Sequence, residues 1–189
     1  MRKLILLIHT SLDGFVAGPN GEMDWIKVDD EIFDYFGKII DDADTALYGR
    51  VTYDMMQAYW PTAADQPNAS KHDIEHSRWY KKVQKVVISK SLKNVTLEKT
   101  KIISENIPEE IINLKKEKGE NILMLGSPSA AHLLMQHNLI DEYWINVNPA
   151  ILGEGIPLFK DLKEKTNLQL LTSKTFSSGV VGLHYSRRL

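Results

Sequence analysis

The sequence predicts an α/β protein with a mostly parallel central sheet, helices on both faces and a C-terminal antiparallel hairpin. Three observations lead there. Ile122-Leu123-Met124-Leu125 is an apolar run with no polar alternation, as expected of a strand covered on both faces. Runs of this kind alternate with stretches of helical periodicity, and the handover falls at a glycine both at Gly49 and at Gly126. The chain then closes with two β-rich segments, residues 168–176 and 180–185, around the short turn Ser177-Ser178-Gly179.

With 189 residues the chain can bury one substantial core, and no stretch reads as a linker, so residues 1–189 are expected to form one domain. A formal net charge of −2 gives no reason to expect nucleic acid or an anionic membrane as partner. The lack of cysteine excludes disulfides, zinc–thiolate sites and thiol catalysis. The basic start and the apolar run of residues 4–8 look like a signal peptide. The run is too short, however, and leads into His9-Thr10-Ser11-Leu12-Asp13-Gly14 without a small-residue cleavage site, so a first strand is expected. No run approaches a membrane-spanning length, and a cytoplasmic protein without membrane contact is expected.

Taken in order, residues 3–10 read as a central strand that hands over to turn formers from Ser11 to Gly21. Phe15 and Val16 inside that loop imply that part of it folds back over the body, as a lid over a site would. Beyond Trp25, the residues Ile32, Phe33, Phe36, Ile39, Ile40 and Ala43 fall on one helical face, and Asp29, Asp30 and Glu31 favour its N-terminus through the dipole. Residues 45–48 make a second strand, and Gly49-Arg50-Val51-Thr52-Tyr53 turns into another helix. Residues 59–70, rich in Pro and Ala, are expected to be irregular. Residues 73–80 read as a helix, 85–89 as a third strand and 102–103 as a fourth. Pro108 opens a polar helix that runs to Lys118 and is ended by Gly119.

Residues 121–159 hold the centre of the pattern. After the buried strand and the break at Gly126, Ser127-Pro128-Ser129 opens a helix. Ser127 is expected to cap the free N–H groups of its first turn, and Pro128 loses no hydrogen bond at the first helical position. Ala131, Leu134 and Met135 supply the apolar stripe, residues 143–147 form the next strand, and 153–159 a loop with an anchored end. A strand that ends in Gly and starts a helix aims unpaired N–H groups and about half a positive charge at one point, which suits a phosphate. In a parallel sheet Gly49, Ser89 and Gly126 would all lie at the carboxyl ends of the strands, where ligands bind. Three breaks at one edge suggest a ligand with several phosphates, and so a dinucleotide.

An ordered set of segments covering nearly the whole chain resembles the dihydrofolate reductase-like superfamily. It is most similar to the reductase domain of the bacterial bifunctional deaminase-reductases of riboflavin synthesis, as a stand-alone member. The segments are Ser11-Leu12-Asp13-Gly14-Phe15-Val16-Ala17-Gly18, Leu47-Tyr48-Gly49-Arg50-Val51-Thr52-Tyr53, Val86-Val87-Ile88-Ser89-Lys90, Leu139-Ile140-Asp141-Glu142 and the stretch from Pro149 to Phe159. The resemblance implies NADPH as cofactor and hydride transfer to a C=N or C=O bond of a small heterocycle, pterin-like or ribosylaminopyrimidine-like. It implies that Gly49, Arg50 and Thr52 face the cofactor phosphates. Ser89 with Lys90 would hold the extra phosphate on the adenosine ribose, and the turn of Gly126, Ser127 and Ser129 would take the pyrophosphate. Two departures stand out. Relatives often have a second glycine where this chain has Ser127, and pyrimidine reductases tend to carry a glutamate where it has Leu125.

For a catalytic carboxylate, the resemblance points to an acid after Trp25 at the start of the first helix, at Asp29 or Asp30, with Asp30 the candidate. Buried there, it would hold a pterin-like ring with its pKa raised by desolvation. Asp13 in the lid is a comparable candidate, with turn formation as the plainer role. His72 and His76 are four residues apart but lack a third ligand, so no metal site is expected. His9 at the end of the first strand has two readings, a residue facing the cofactor cleft and, more plainly, a satisfied core histidine. Relatives are commonly dimers, and Val180, Val181, Leu183 and Tyr185 in the C-terminal hairpin offer a homodimer surface. The alternative function is a nucleotide-binding or interaction protein of the same fold without turnover.

Overall fold

Strand β1 (Leu4–Thr10) sets the plan of the molecule: Leu4, Leu6 and Ile8 enter one hydrophobic core, Ile5 and Leu7 the core on the opposite face. Apolar residues at every position follow from a strand buried on both sides. Strand β6 (Asn121–Leu125) repeats it, with Ile122 and Met124 on the first face and Leu123 on the second. The computed structural model describes residues 1–92 and 97–188.

The remaining strands are β2 (Phe15–Ala17), β3 (Ala43–Gly49), β4 (Gln84–Ile88), β5 (Thr100–Ile103), β7 (Glu142–Val147), β8 (Ile156–Pro157), β9 (Leu168–Thr175) and β10 (Val181–Arg187). Among the described residues they form an eight-stranded sheet in the order β5-β4-β3-β6-β1-β7-β10-β9 and a two-stranded one of β2 and β8. All pairings from β5 to β7 are parallel; β10 is antiparallel to both of its neighbours. The helices are α1 (Asp30–Asp41), α2 (Arg50–Ala63), α3 (Lys71–Lys82), α4 (Ile107–Lys116) and α5 (Pro128–Gln136). Helices α4 and α5 cover the face of Leu4 and Leu6 through Ile107, Ile111, Ala131 and Leu134. Helix α1 covers the other face through Ile32, Phe36 and Ile40, and α2 with α3 covers the same side of β3 and β4 around Tyr48, Tyr53 and Tyr80. Each fully buried Leu or Ile contributes about 1.5–3 kcal/mol.

Two expectations change. The first part of the segment from Tyr59 is helical, because α2 continues through Trp60 and Pro61 to Ala63, which is buried, while residues 64–70 are irregular as expected. Pro61 falls in the last turn, where its missing N–H costs one hydrogen bond, and packing of Ala63 and Trp60 outweighs that. Val180 does not offer a surface, because it is buried beside Phe176 in the α1-side core; the exposed apolar side chains of the C-terminal strands are Leu170 and Leu171 on β9. The lid loop folds back as expected, and β2 pairs with β8 to tie it to the 153–159 loop.

Candidate functional site

Parallel pairing brings the strand ends into step. Gly49 lies opposite Ile88 on β4, Leu47 opposite Met124 on β6, and Leu125 on β6 opposite Leu7 on β1. Gly49, Ser89 and Gly126 therefore share one edge of the sheet, as neighbouring strand-to-helix turns at the carboxyl ends of β3, β4 and β6.

The turn after β6 is made by two successive residues with left-handed backbone, Gly126 at φ 61° and Ser127 at φ 62°. A Cβ on Gly126 would meet nothing nearer than Thr52 Cγ2 at 3.7 Å, so conformation rather than crowding favours glycine there. Ser127 does not cap α5. A capping side chain normally sits on extended backbone, whereas the left-handed Ser127 is turned away from the helix and its buried Oγ accepts a hydrogen bond from the Gly49 N–H at 2.9 Å. The turns after β3 and β6 are thereby clipped together. The first intrahelical bond of α5 runs from Ala131 N–H to Ser127 O at 2.9 Å, so the N–H groups of Ser129 and Ala130 have no partner within the helix. Pro128 stands at the helix start as expected.

Gly49 is the extended N-cap of α2 and brings no side chain to the edge. Arg50 opens the helix, with Nη1 3.0 Å from Asp54 Oδ2 in a half-exposed pair one turn apart; such a pair is weak and easily exchanged for a phosphate. Thr52 is half-buried beside Gly126. Ser89 is buried, and its Oγ accepts from the N–H groups of Leu92 at 3.1 Å and Ser91 at 3.3 Å, building the turn after β4. Lys90 is exposed beside it. Apart from Asp54, these groups are N–H donors, hydroxyls and two cations. That set fits the phosphates of a dinucleotide.

The two candidate carboxylates lie elsewhere around the edge and not together. Asp13 accepts from Ser11 Oγ at 2.6 Å, from Gly153 N–H at 2.8 Å and from Leu152 N–H at 3.2 Å. The Ser11 hydroxyl and then the Gly153 N–H hold its pKa below the usual carboxylate value, so it is an ionised clip between the lid and the loop after β7. Asp30 is exposed in the first turn of α1, near Lys71 and His72, and the buried setting expected for it is not present. Asp29 is the residue that caps α1, accepting from Ile32 N–H at 2.9 Å. His72 and His76 sit in an aromatic cluster with Phe33, Trp60 and Trp79, and among the described residues no group of metal-ligating side chains is found.

One constellation was not legible from spacing. At the carboxyl ends of β1 and β7, His9 Nε2 is 3.4 Å from Asn146 Nδ2 and His9 Nδ1 is 3.3 Å from Asn148 Nδ2. Both asparagines are fully buried, and burial lowers the His9 pKa to about 4. The available signal was Asn146 and Asn148 alternating at the end of an otherwise apolar strand. Two concavities, of about 510 Å³ beside Tyr35 and Trp144 and about 160 Å³ beside Met135 and Leu162, share no residue with the Gly49–Gly126 edge.

Residues 2–182 match the model of the RibD C-terminal domain family. The uncharacterized protein YyaP of Bacillus subtilis (strain 168) is 36% identical over 97% of this chain and 94% of its own length. YwjB of the same organism is 32% identical over 98% of each. Solved structures share the fold. A Shewanella sp. PV-4 protein assigned by name to riboflavin biosynthesis superposes with TM-score 0.76 at 23% identity over 99% of both chains. The Thermotoga maritima diaminohydroxyphosphoribosylaminopyrimidine deaminase/5-amino-6-(5-phosphoribosylamino)uracil reductase gives 0.68 at 14% identity over 99% of this chain and 57% of that one. A pyrimidine reductase-like protein of Corynebacterium diphtheriae gives 0.68 at 15% identity over 100% and 92%.

Proposed function

The chain belongs to the RibD C-terminal domain family, and we propose that it is an NADPH-dependent reductase of a small heterocycle, pterin-like or ribosylaminopyrimidine-like. The observation that carries this reading is the convergence of three strand-to-helix turns, at Gly49, Ser89 and Gly126, on one edge of the sheet. Bound NADPH would supply the hydride. The protein would supply binding and position. In this reading the N–H groups of Ser129 and Ala130 with the Ser129 hydroxyl take the pyrophosphate. Arg50 leaves Asp54 for a phosphate oxygen, with Thr52 beside it, while Gly49 and Gly126 keep the backbone open and Ser127 holds their two turns together. Lys90 takes the phosphate on the adenosine ribose, on a turn that Ser89 shapes. Asp13 acts as a positioning residue that fastens the lid. We assign the protein to the cytoplasm as a homodimer that uses the β9 side; among the described residues no helix is long and apolar enough to cross a membrane.

Loss of NADPH absorbance with a panel of pterin, dihydrofolate and ribosylaminopyrimidine substrates tests the reading, with Lys90→Ala beside the parent protein. Lys90→Ala is expected to weaken NADPH and leave NADH unchanged; equal loss of both would remove Lys90 from the ribose phosphate. Tight NADPH binding with no oxidation across the panel would favour a nucleotide-binding protein without turnover. That reading has one observation in its favour: neither candidate carboxylate is buried.

A further inference from the structure

We propose that Asn20–Gly21 is a site of spontaneous, irreversible modification, deamidation through a cyclic imide, and that the Glu22 carboxylate guards it while the turn at the end of the lid stays closed. This is the one Asn-Gly pair in the chain; every other asparagine precedes a residue with a side chain. Gly21 is exposed, and a Cβ there would meet nothing within 4 Å, so the space around it is open. In the reaction the Gly21 nitrogen gives its proton to hydroxide and attacks Asn20 Cγ. The new C–N bond closes the imide as the Cγ–Nδ2 bond breaks, and the departing nitrogen takes a proton from water and leaves as ammonia. Water then opens the imide at either carbonyl, giving aspartate or isoaspartate with no change of oxidation state. This chemistry is independent of the dinucleotide reading.

The closed turn holds both reacting groups. Gly21 N–H donates to Gly18 O at 3.1 Å and Gly18 N–H to Glu22 O at 2.9 Å, with Pro19 and Asn20 at the centre of the turn. The Glu22 carboxylate lies across it and accepts from Asn20 N–H at 2.9 Å and from Asn20 Nδ2 at 2.8 Å. A Cβ on Gly18 would collide with Glu22 Oε2, so the carboxylate reaches Asn20 over a glycine. The proton of the nucleophile is thus engaged inside the turn, and the amide that must leave is tied to Glu22. The Asn20 amide in turn holds the Glu22 carboxyl below its usual pKa, so the guard is ionised and its charge opposes the anion that must form at the Gly21 nitrogen. Reaction needs the turn to open, and its rate scales with the open fraction. The product cannot close again in the same way. A carboxylate replaces the Nδ2 donor and faces Glu22, and isoaspartate lengthens the backbone between Gly18 O and Gly21 N–H. Glu22 O also accepts from the Trp25 indole N–H at 3.2 Å, so an opened turn releases Trp25 and the stretch that joins β2 to α1, while the Asp13 clip holds the other end of the lid.

The test follows Asn20 by peptide mapping with mass spectrometry at pH 8, in the full chain, in Glu22→Ala, and in free peptides of residues 15–25 with either residue at 22, so that each chain is compared with its own peptide. The parent chain is expected to react more slowly than its peptide, and Glu22→Ala to narrow that ratio about fivefold, the loss of two exposed hydrogen bonds. A parent chain as fast as its peptide overturns the proposal. So does a Glu22→Ala chain that lags its peptide as much as the parent does, since the guard would then not be Glu22. Asn20→Asp, one of the two products, reads the consequence for the lid. Cleavage after Glu22 by a glutamate-specific protease should quicken, and the emission of Trp25, assigned with Trp25→Phe, should move toward that of an exposed indole. Cleavage and emission both unchanged would overturn the release of the lid turn.

Discussion

Ser127 has two separable effects on the turn after β6, and replacing it by Gly and by Ala tells them apart. The first is its hydroxyl, which accepts from Gly49 N–H at 2.9 Å and joins segments 78 residues apart. Either substitution removes that acceptor and leaves a half-buried donor, at a cost of about 1 kcal/mol, toward the low end because Gly49 is reached by water. The second is the backbone at φ 62°, which disfavours any residue with a Cβ by about 1–2 kcal/mol and glycine hardly at all. Glycine's looser unfolded chain takes back about 0.5–1 kcal/mol of that relief. Ser127→Ala should therefore destabilise by about 1 kcal/mol, and Ser127→Gly should be roughly neutral. A gap of that size corresponds to about 2–4 °C between their melting temperatures for a domain of this length. Urea unfolding of the three proteins reads the difference directly, provided the slopes agree. A Ser127→Gly protein at least as unstable as Ser127→Ala would refute the argument from backbone strain. NADPH affinity gives the second arm. Both variants free the Gly49 N–H for a phosphate oxygen, so binding should hold or tighten. Affinity lost more than tenfold in both would mean that the hydroxyl itself grips the phosphate.

Asp141→Ala leaves Lys115, only 4% exposed at its side chain and 2.6 Å from Asp141, without its partner; breaking such a pair costs about 3–5 kcal/mol, to be read by urea unfolding, and a loss under 1 kcal/mol would contradict it. His9 and His76 have pKa values lowered by burial to about 4 and about 3, so the unfolded chain takes up protons first and stability is lost as pH falls from about 6.5 toward 3. At pH 5 each accounts for up to about 2 kcal/mol, and His76→Leu should shrink the difference between urea midpoints at pH 7 and pH 5. Leu170→Glu with Leu171→Lys, placed on the exposed β9, should turn a dimer into a monomer in light scattering; an unchanged mass would move the interface elsewhere.

The sheet was legible because burial on both faces leaves a local trace: Leu4 to Ile8 and Ile122 to Leu125 cannot be amphipathic. The glycine turns were legible for the same reason, since Gly126 with Pro128 two residues on punctuates the chain whatever surrounds it. What escaped depends on partners far away in sequence. Ser127 reads as a cap from its neighbours, and only β3 lying next to β6 gives its hydroxyl another donor. Residues 59–63 read as irregular from Pro61, while the packing of Trp60 and Ala63 keeps them helical. The pairing of β2 with β8 spans too few residues to have a period. His9 reads as a core histidine until Asn146 and Asn148 come beside it through the parallel register of β1 and β7.

The two ends of the sheet are held in different ways, and the difference suits a site at one of them. At the amino edge, Lys115 binds both Asp141 and the Leu139 carbonyl, Asp141 also accepts from Leu4 N–H at 2.8 Å, and Arg2 pairs with Asp44 and reaches the Glu120 carbonyl. With both cations buried, these contacts cannot be exchanged for water without leaving a charge in the core. At the carboxyl edge the ion pair and the lid clip are open to solvent, the half-exposed Arg50–Asp54 pair and the exposed Asp13 on Leu152 and Gly153, and the buried tie there, Ser127 Oγ to Gly49 N–H, is a single uncharged hydrogen bond. Exposed ties of this kind contribute at most about 1 kcal/mol each. They can open and re-form around a ligand while the sheet beneath them stays fixed, so the cost of admitting a coenzyme falls on the loops. Asp13→Ala should therefore speed proteolysis within the loop around Leu152 and leave the global urea midpoint almost unmoved. A large shift in that midpoint would show that the lid is part of the cooperative core.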